Sequence, residues 1–181
     1  ASNGSNDSHI DGLARKTGDD AFIFPVGDNG YIASISIAAP ANTTDEFTAQ
    51  YFRVDPASTA YNPDTKDDIN LTKISRCEYW ILNRTEGTSS VAVSLSYENT
   101  RSCGVSSSAD LRIARWDATS TRWENEGNGG DVTLGTLNGI TTSAAVVNFS
   151  PFTLATQDPI GSPLPASLLN FSVKKASKGV L

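Results

Sequence analysis

Arg76-Cys77-Glu78-Tyr79-Trp80-Ile81-Leu82-Asn83-Arg84 is the densest run of aromatic, β-branched and apolar residues in the chain, and it holds one of two cysteines. Side chains alternate across a strand. As a strand, the stretch points Cys77, Tyr79 and Ile81 one way and Trp80 and Leu82 the other. Apolar groups on both faces need cover on both sides, so this is read as a central strand of an all-β domain.

Outward from it the same pattern repeats. Residues 91–97 alternate most cleanly, with Val91, Val93, Leu95 and Tyr97 inward and Ala92, Ser94 and Ser96 outward, as in a half-exposed antiparallel strand. Residues 111–116 and 121–124 read as a hairpin around Asp117-Ala118-Thr119-Ser120. Residues 132–136, 139–147 and 150–155 read as three more short strands. Upstream, 13–26 is the first ordered unit. It ends in the turn Gly27-Asp28-Asn29-Gly30, and Pro25 marks an edge strand or a strand end. Residues 31–38 put Tyr31, Ala33, Ile35 and Ile37 on one face. Residues 46–54 put Phe47, Ala49 and Tyr51 on one face and Phe52 and Val54 on the other. About eight to ten short strands with turn chemistry between them predict an antiparallel β-sandwich, immunoglobulin-like or jelly-roll-like.

The sandwich is expected over residues 13–155. Residues 1–12 are a polar lead-in or linker, and 156–166 a Pro/Gly/Ser linker. Residues 167–181 read as a strand that starts a next domain or pairs with a neighbouring subunit.

The 181 residues, 38% hydrophobic, suffice for one core. A net charge of -6 argues against phosphate-backbone binding and against docking on an anionic membrane, both of which need a basic surface. No run reaches the roughly 18 apolar residues of a membrane span. The chain opens Ala1-Ser2-Asn3-Gly4, without a signal-peptide pattern, and contains no methionine. The expectation is a processed or excised piece of a longer precursor.

Two cysteines have three fates: free thiols, a metal pair or a disulfide. The single histidine, His9, lies in the polar lead-in and cannot complete a Cys/His zinc set. Strand-like sequence flanks both Cys77 and Cys103, with a turn-rich stretch between, which suits a bridge across the end of a sheet. Such a bridge stabilises by roughly 3 kcal/mol and implies an oxidising compartment, hence an extracellular or cell-surface protein.

Four pieces carry a family resemblance: Phe22-Ile23-Phe24-Pro25-Val26-Gly27, Cys77-Glu78-Tyr79-Trp80, Leu111-Arg112-Ile113-Ala114-Arg115-Trp116-Asp117 and Phe149-Ser150-Pro151-Phe152-Thr153-Leu154. Together they resemble a β-sandwich module of large secreted, adhesin-like Bacteroidetes proteins exported by type IX secretion. In those proteins a Pro-Leu-Pro linker and the first strand of a fibronectin-like domain follow, and Pro163-Leu164-Pro165 through Val173 is similar to that junction. The resemblance implies an extracellular, non-enzymatic module and offers no catalytic residues to carry over.

The residues themselves contain little reactive chemistry. A Ser-His-Asp system has only His9 to build on. Carboxylate pairs for glycoside hydrolysis are sought among Asp55, Asp64, Asp67, Asp68, Glu124 and Glu126, in acidic loops that are ordinarily just solvated. Asp55, Asp64, Asp67 and Asp68 are also the weak calcium candidates, though their spacing is not an EF-hand. No other cofactor is indicated. Trp116 and Trp123 flank one hairpin, and they are either a sugar-stacking pair or cross-strand packing. Sequons at Asn3, Asn6, Asn42, Asn70, Asn83, Asn148 and Asn170 are read as unmodified chance matches.

The tail residues Leu168, Leu169, Phe171 and Val173 fit a strand that joins its own sheet or is added to a neighbouring copy. A head-to-tail addition that does not close builds a filament. The expected function is an extracellular structural or adhesive module, not an enzyme, with itself or a cell-surface polysaccharide as partner. A carbohydrate-binding module is the alternative.

Overall fold

The computed structural model describes residues 4–105 and 107–157. These residues form an antiparallel β-sandwich with no α-helix and one 3-10 turn at Pro56–Ser58.

The larger sheet has seven strands. β1 (Ala14–Thr17) lies on β6 (Glu46–Phe52), β6 on β8 (Tyr79–Glu86), and β8 on β14 (Phe152–Thr156). Next come β10 (Leu111–Asp117) and β11 (Arg122–Gly127), while the short β7 (Lys73–Ile74) also pairs with β14. The smaller sheet has the order β12 (Asp131–Leu134), β13 (Leu137–Thr141), β9 (Val93–Tyr97), β5 (Ile35–Ile37), β2 (Phe22–Phe24). β3 (Gly27–Asp28) and β4 (Tyr31–Ile32) form a small ladder of their own.

The stretch chosen as central is central. β8 pairs with β6 from Glu86 to Tyr79, and Trp80 pairs with Phe152 on its other side. Its strand begins at Tyr79 rather than Arg76, because Cys77 is held in a turn by the Ser75 hydroxyl. Trp80 and Leu82 face the smaller sheet and join one continuous core with Phe47, Ala49, Tyr51, Ile35, Leu95, Ile113 and Leu154. The Trp80 Nε1–H donates across the sandwich to the Ala33 carbonyl at 2.7 Å. A polar handle on the largest core side chain thus ties the larger sheet to the chain that leads into β5.

The other face of the larger sheet carries a second cluster: Leu71, Ile74, Ala114, Trp116, Trp123 and Ala155, with Tyr61 against it. Its cover is the irregular stretch 55–72. The stretch is pinned to β11 by Trp123 N–H to Thr65 O (2.9 Å) and Asp67 N–H to Trp123 O (2.8 Å).

At the rim of the core, buried Asp45 closes the loop before β6. It accepts from the Ser89 hydroxyl and from the Asn42 and Thr88 amides. The Ser89 bond, against the effect of burial, holds its carboxyl below the usual carboxylate range. Gly87 sits in the left-handed region at φ 86°, and a Cβ there would collide with this carboxylate.

Two sequence expectations need correction. Residues 13–26 are not one unit, since β1 joins the larger sheet and β2 the smaller. The chain crosses between them at Gly18-Asp19-Asp20, with Gly18 at φ 122°. β2 is an edge strand, as Pro25 indicated. Residues 139–147 do not continue as a strand, because Thr142 exchanges bonds with Val93 and turns the chain. Only an isolated Val91–Val146 bridge follows. The lead-in packs on the sandwich from Gly4 onward. Ile10 bridges Val26, and Asn6 Oδ1 accepts from the Ile32 amide at 2.9 Å.

Candidate functional site

Cys77 and Cys103 form a disulfide with Cα atoms 6.3 Å apart. It joins the entry to β8 to the turn that follows β9. Each cysteine brings a charged neighbour with it. Glu78 follows Cys77, Arg101 precedes Cys103 by two residues, and the pair forms an ion pair that is almost fully buried.

Arg101 also donates to the Ser96 carbonyl at 3.0 Å and lies over the Tyr51 and Trp80 rings. Burial works most strongly against the guanidinium charge, but Glu78, Tyr51 and Glu98 together outweigh it and the Arg101 pKa is raised. The Tyr51 hydroxyl donates to Glu78 at 2.8 Å, and burial together with the Glu78 charge pushes its pKa far up. This network corrects another expectation. Ser94 and Ser96 are not half-exposed but buried, and Arg101 reaches over Ser96. Sequence reasoning missed the network; the only available signal was a carboxylate next to Cys77 and a guanidinium two residues before Cys103.

Arg53, Arg76 and Arg101 line an open crevice of about 250 Å³ beside the disulfide. All three are engaged. Arg76 pairs with Asp55 (3.3 Å) and Asp64 (2.6 Å), Arg101 pairs with Glu78, and the Arg53 guanidinium lies 3.9 Å from the Tyr31 ring centre. The crevice is therefore a clamp on the 55–64 loop.

The four aspartates are taken up by protein partners. Asp55 and Asp64 share Arg76, Asp68 takes Lys66, and Asp67 accepts from Asn70 within its own turn. Among the described residues no three His, Cys, Asp or Glu side chains come together as metal ligands. Glu124 and Glu126 are each taken up by an arginine, Arg122 at 2.8 Å and Arg115 at 2.7 Å. His9 Nδ1 lies 3.2 Å from the Ser5 carbonyl oxygen.

Trp116 and Trp123 are neighbours, as the hairpin predicted, but they are not a sugar platform. They are directly paired across β10 and β11, edge to face at 5.6 Å. Tyr61 covers them, leaving Trp116 8% exposed and Trp123 fully buried. No ring face is left for a sugar to stack on. The sequon asparagines Asn6, Asn42, Asn70, Asn83 and Asn148 are exposed. Asn3, Asn170 and the tail residues Leu168, Leu169, Phe171 and Val173 lie outside the described residues.

A further concave feature lies on the outer face of the smaller sheet. There Ile23 of β2, Ser36 of β5 and Ser94 of β9 form one cross-strand row. With Val132 and Leu134 of β12 they line a groove of about 320 Å³. Gly139 permits this arrangement, since a Cβ there would collide with Leu134 and sit 2.7 Å from the Leu95 carbonyl oxygen. The groove is apolar-walled and serine-floored, and its two walls are the two edge strands of the sheet.

No family model matches this chain, and no characterised protein or solved structure matches it.

Proposed function

We propose that the chain is an extracellular structural or adhesive module whose copies join through a terminal strand. The Cys77–Cys103 disulfide carries the first half, because such a bridge persists in an oxidising compartment and not in a reducing one. A thiol assay on the denatured, unreduced protein is expected to find no free cysteine, and two free thiols would remove the argument.

The second half is supported by the edges of the smaller sheet. A strand with unpaired backbone on one side is a template for another chain. Among the described residues β2 and β12 each pair on one side only. The apolar, alternating residues Leu169, Phe171 and Val173 are the natural donor. The test is light scattering and negative-stain microscopy with and without residues 164–181. Assemblies of the full chain that disappear on truncation support the reading, and a monomer in both cases refutes it.

A further inference from the structure

We propose that β12 is the acceptor edge, and that residues 171–174 of a second copy pair with it antiparallel, placing Val173 and Phe171 beside Val132 and Leu134 on the outer face of the smaller sheet. This rests on the self-assembly reading above and names the surface it uses.

The argument starts from β12. Its residues Asp131-Val132-Thr133-Leu134 pair with β13 on one side, and no strand of the described residues lies on the other. Val132 and Leu134 turn toward the groove. Antiparallel strands stabilise each other through directly opposite side chains. In one register the tail matches this edge at every position. Lys174 falls opposite Asp131, Val173 opposite Val132, Ser172 opposite Thr133 and Phe171 opposite Leu134. That gives an opposite-charge pair, two apolar pairs and a hydroxyl pair.

A slip of one residue would turn Phe171 and Val173 to the opposite face of the sheet and set polar neighbours beside Val132 and Leu134, so the register is determined by the apolar face. The β2 edge is the weaker acceptor. It has three residues, Phe22–Phe24, and Pro25 ends it with no N–H to offer.

Reach does not limit the contact. The apolar segment begins 11 residues after Gln157. Extended chain covers roughly 3.3–3.6 Å per residue, so those residues span roughly 36–40 Å, about the width of a small domain. The donor comes from a second copy, in keeping with the head-to-tail assembly proposed.

The test uses the full chain carrying a photoreactive phenylalanine at position 171. It is mixed with an isotope-labelled partner population, so that cross-links between copies are separated by mass. Cross-links from position 171 to residues 132–134 of the other copy are expected. Cross-links confined to β2, to another surface or to the same chain would overturn the assignment. In parallel, Val132→Asp is expected to raise the concentration needed for assembly about tenfold, with the melting temperature of the monomer unchanged. If removing residues 164–181 abolishes assembly while Val132→Asp leaves it intact, the acceptor is wrong and the self-assembly reading stands. If truncation leaves assembly intact, that reading fails and this inference with it.

Discussion

The two faces of the seven-stranded sheet are both buried, but by different means. The inner face meets a second sheet, and Phe47, Trp80, Leu82, Ile113 and Leu154 are sealed by side chains that alternate on regular strands. The outer face meets an irregular loop. Trp116 and Trp123 are sealed by Tyr61 and by a chain held through Arg76 and two backbone bonds to Trp123. Sheet-on-sheet cover is cooperative with the whole fold. Loop cover rests on few apolar contacts and several exposed polar ones, and such segments open locally at lower free energy.

The comparison can be broken by mutation. Trp80→Ala is expected to cost about 3–5 kcal/mol, read as a lower urea midpoint at unchanged slope, because it empties the core and deletes the bond to Ala33. Arg101→Met comes next. It leaves Glu78 buried without its ion-pair partner, a loss of about 3 kcal/mol or more. Adding Glu78→Gln is expected to recover part of that. A double variant as unstable as the single one would mean that the guanidinium acts through packing on Tyr51 and Trp80 instead.

Tyr61→Ala tests the loop cover. It removes edge contacts to Trp116 and Trp123 and is expected to cost only about 1–2 kcal/mol globally. Its signature is local: faster amide exchange over residues 55–72 and a red-shifted indole emission, with β9 unaffected. Equal acceleration in both regions would show that the two faces open together.

The smallest effect concerns pH. The Asp45 carboxyl has a depressed pKa in the folded state, chiefly through Ser89, against an ordinary value of 3.8. Its contribution is therefore present above that value and lost as pH falls through the lower folded one. The stability gap between wild type and Asp45→Asn is expected to be constant near neutrality and to close on acidification below about 4.

The strands were legible because alternation is a local property. Val93 and Leu95, Phe47 and Tyr51, and Leu111 and Ile113 all fall inward as their spacing predicts. The hairpin at residues 117–121 and the edge position of β2 follow from turn chemistry and from proline. What failed was the inference from "outward" to "exposed". Trp116 and Trp123 point away from the inner core, yet the acidic stretch taken for a solvated loop lies over them. The spacing of Ser94 and Ser96 predicts outward, half-exposed positions, yet both are buried. The candidate surfaces show the same limit. Both cysteines were paired correctly, but nothing in their spacing announces Glu78 and Arg101 between them. The groove of Ile23, Ser36, Ser94, Val132 and Leu134 gathers residues more than a hundred positions apart, which no local pattern encodes.

By itself, then, the sequence determined the sandwich class, the inward faces of its strands and the disulfide partners. Each of these depends on two-residue periodicity or on there being only two cysteines. Only the tertiary structure decided what lies on the outward faces: a loop on the tryptophans and open groove beside β12. Cover on an outward face comes from chain remote in sequence, and whether it arrives is settled by how the two sheets and their loops pack.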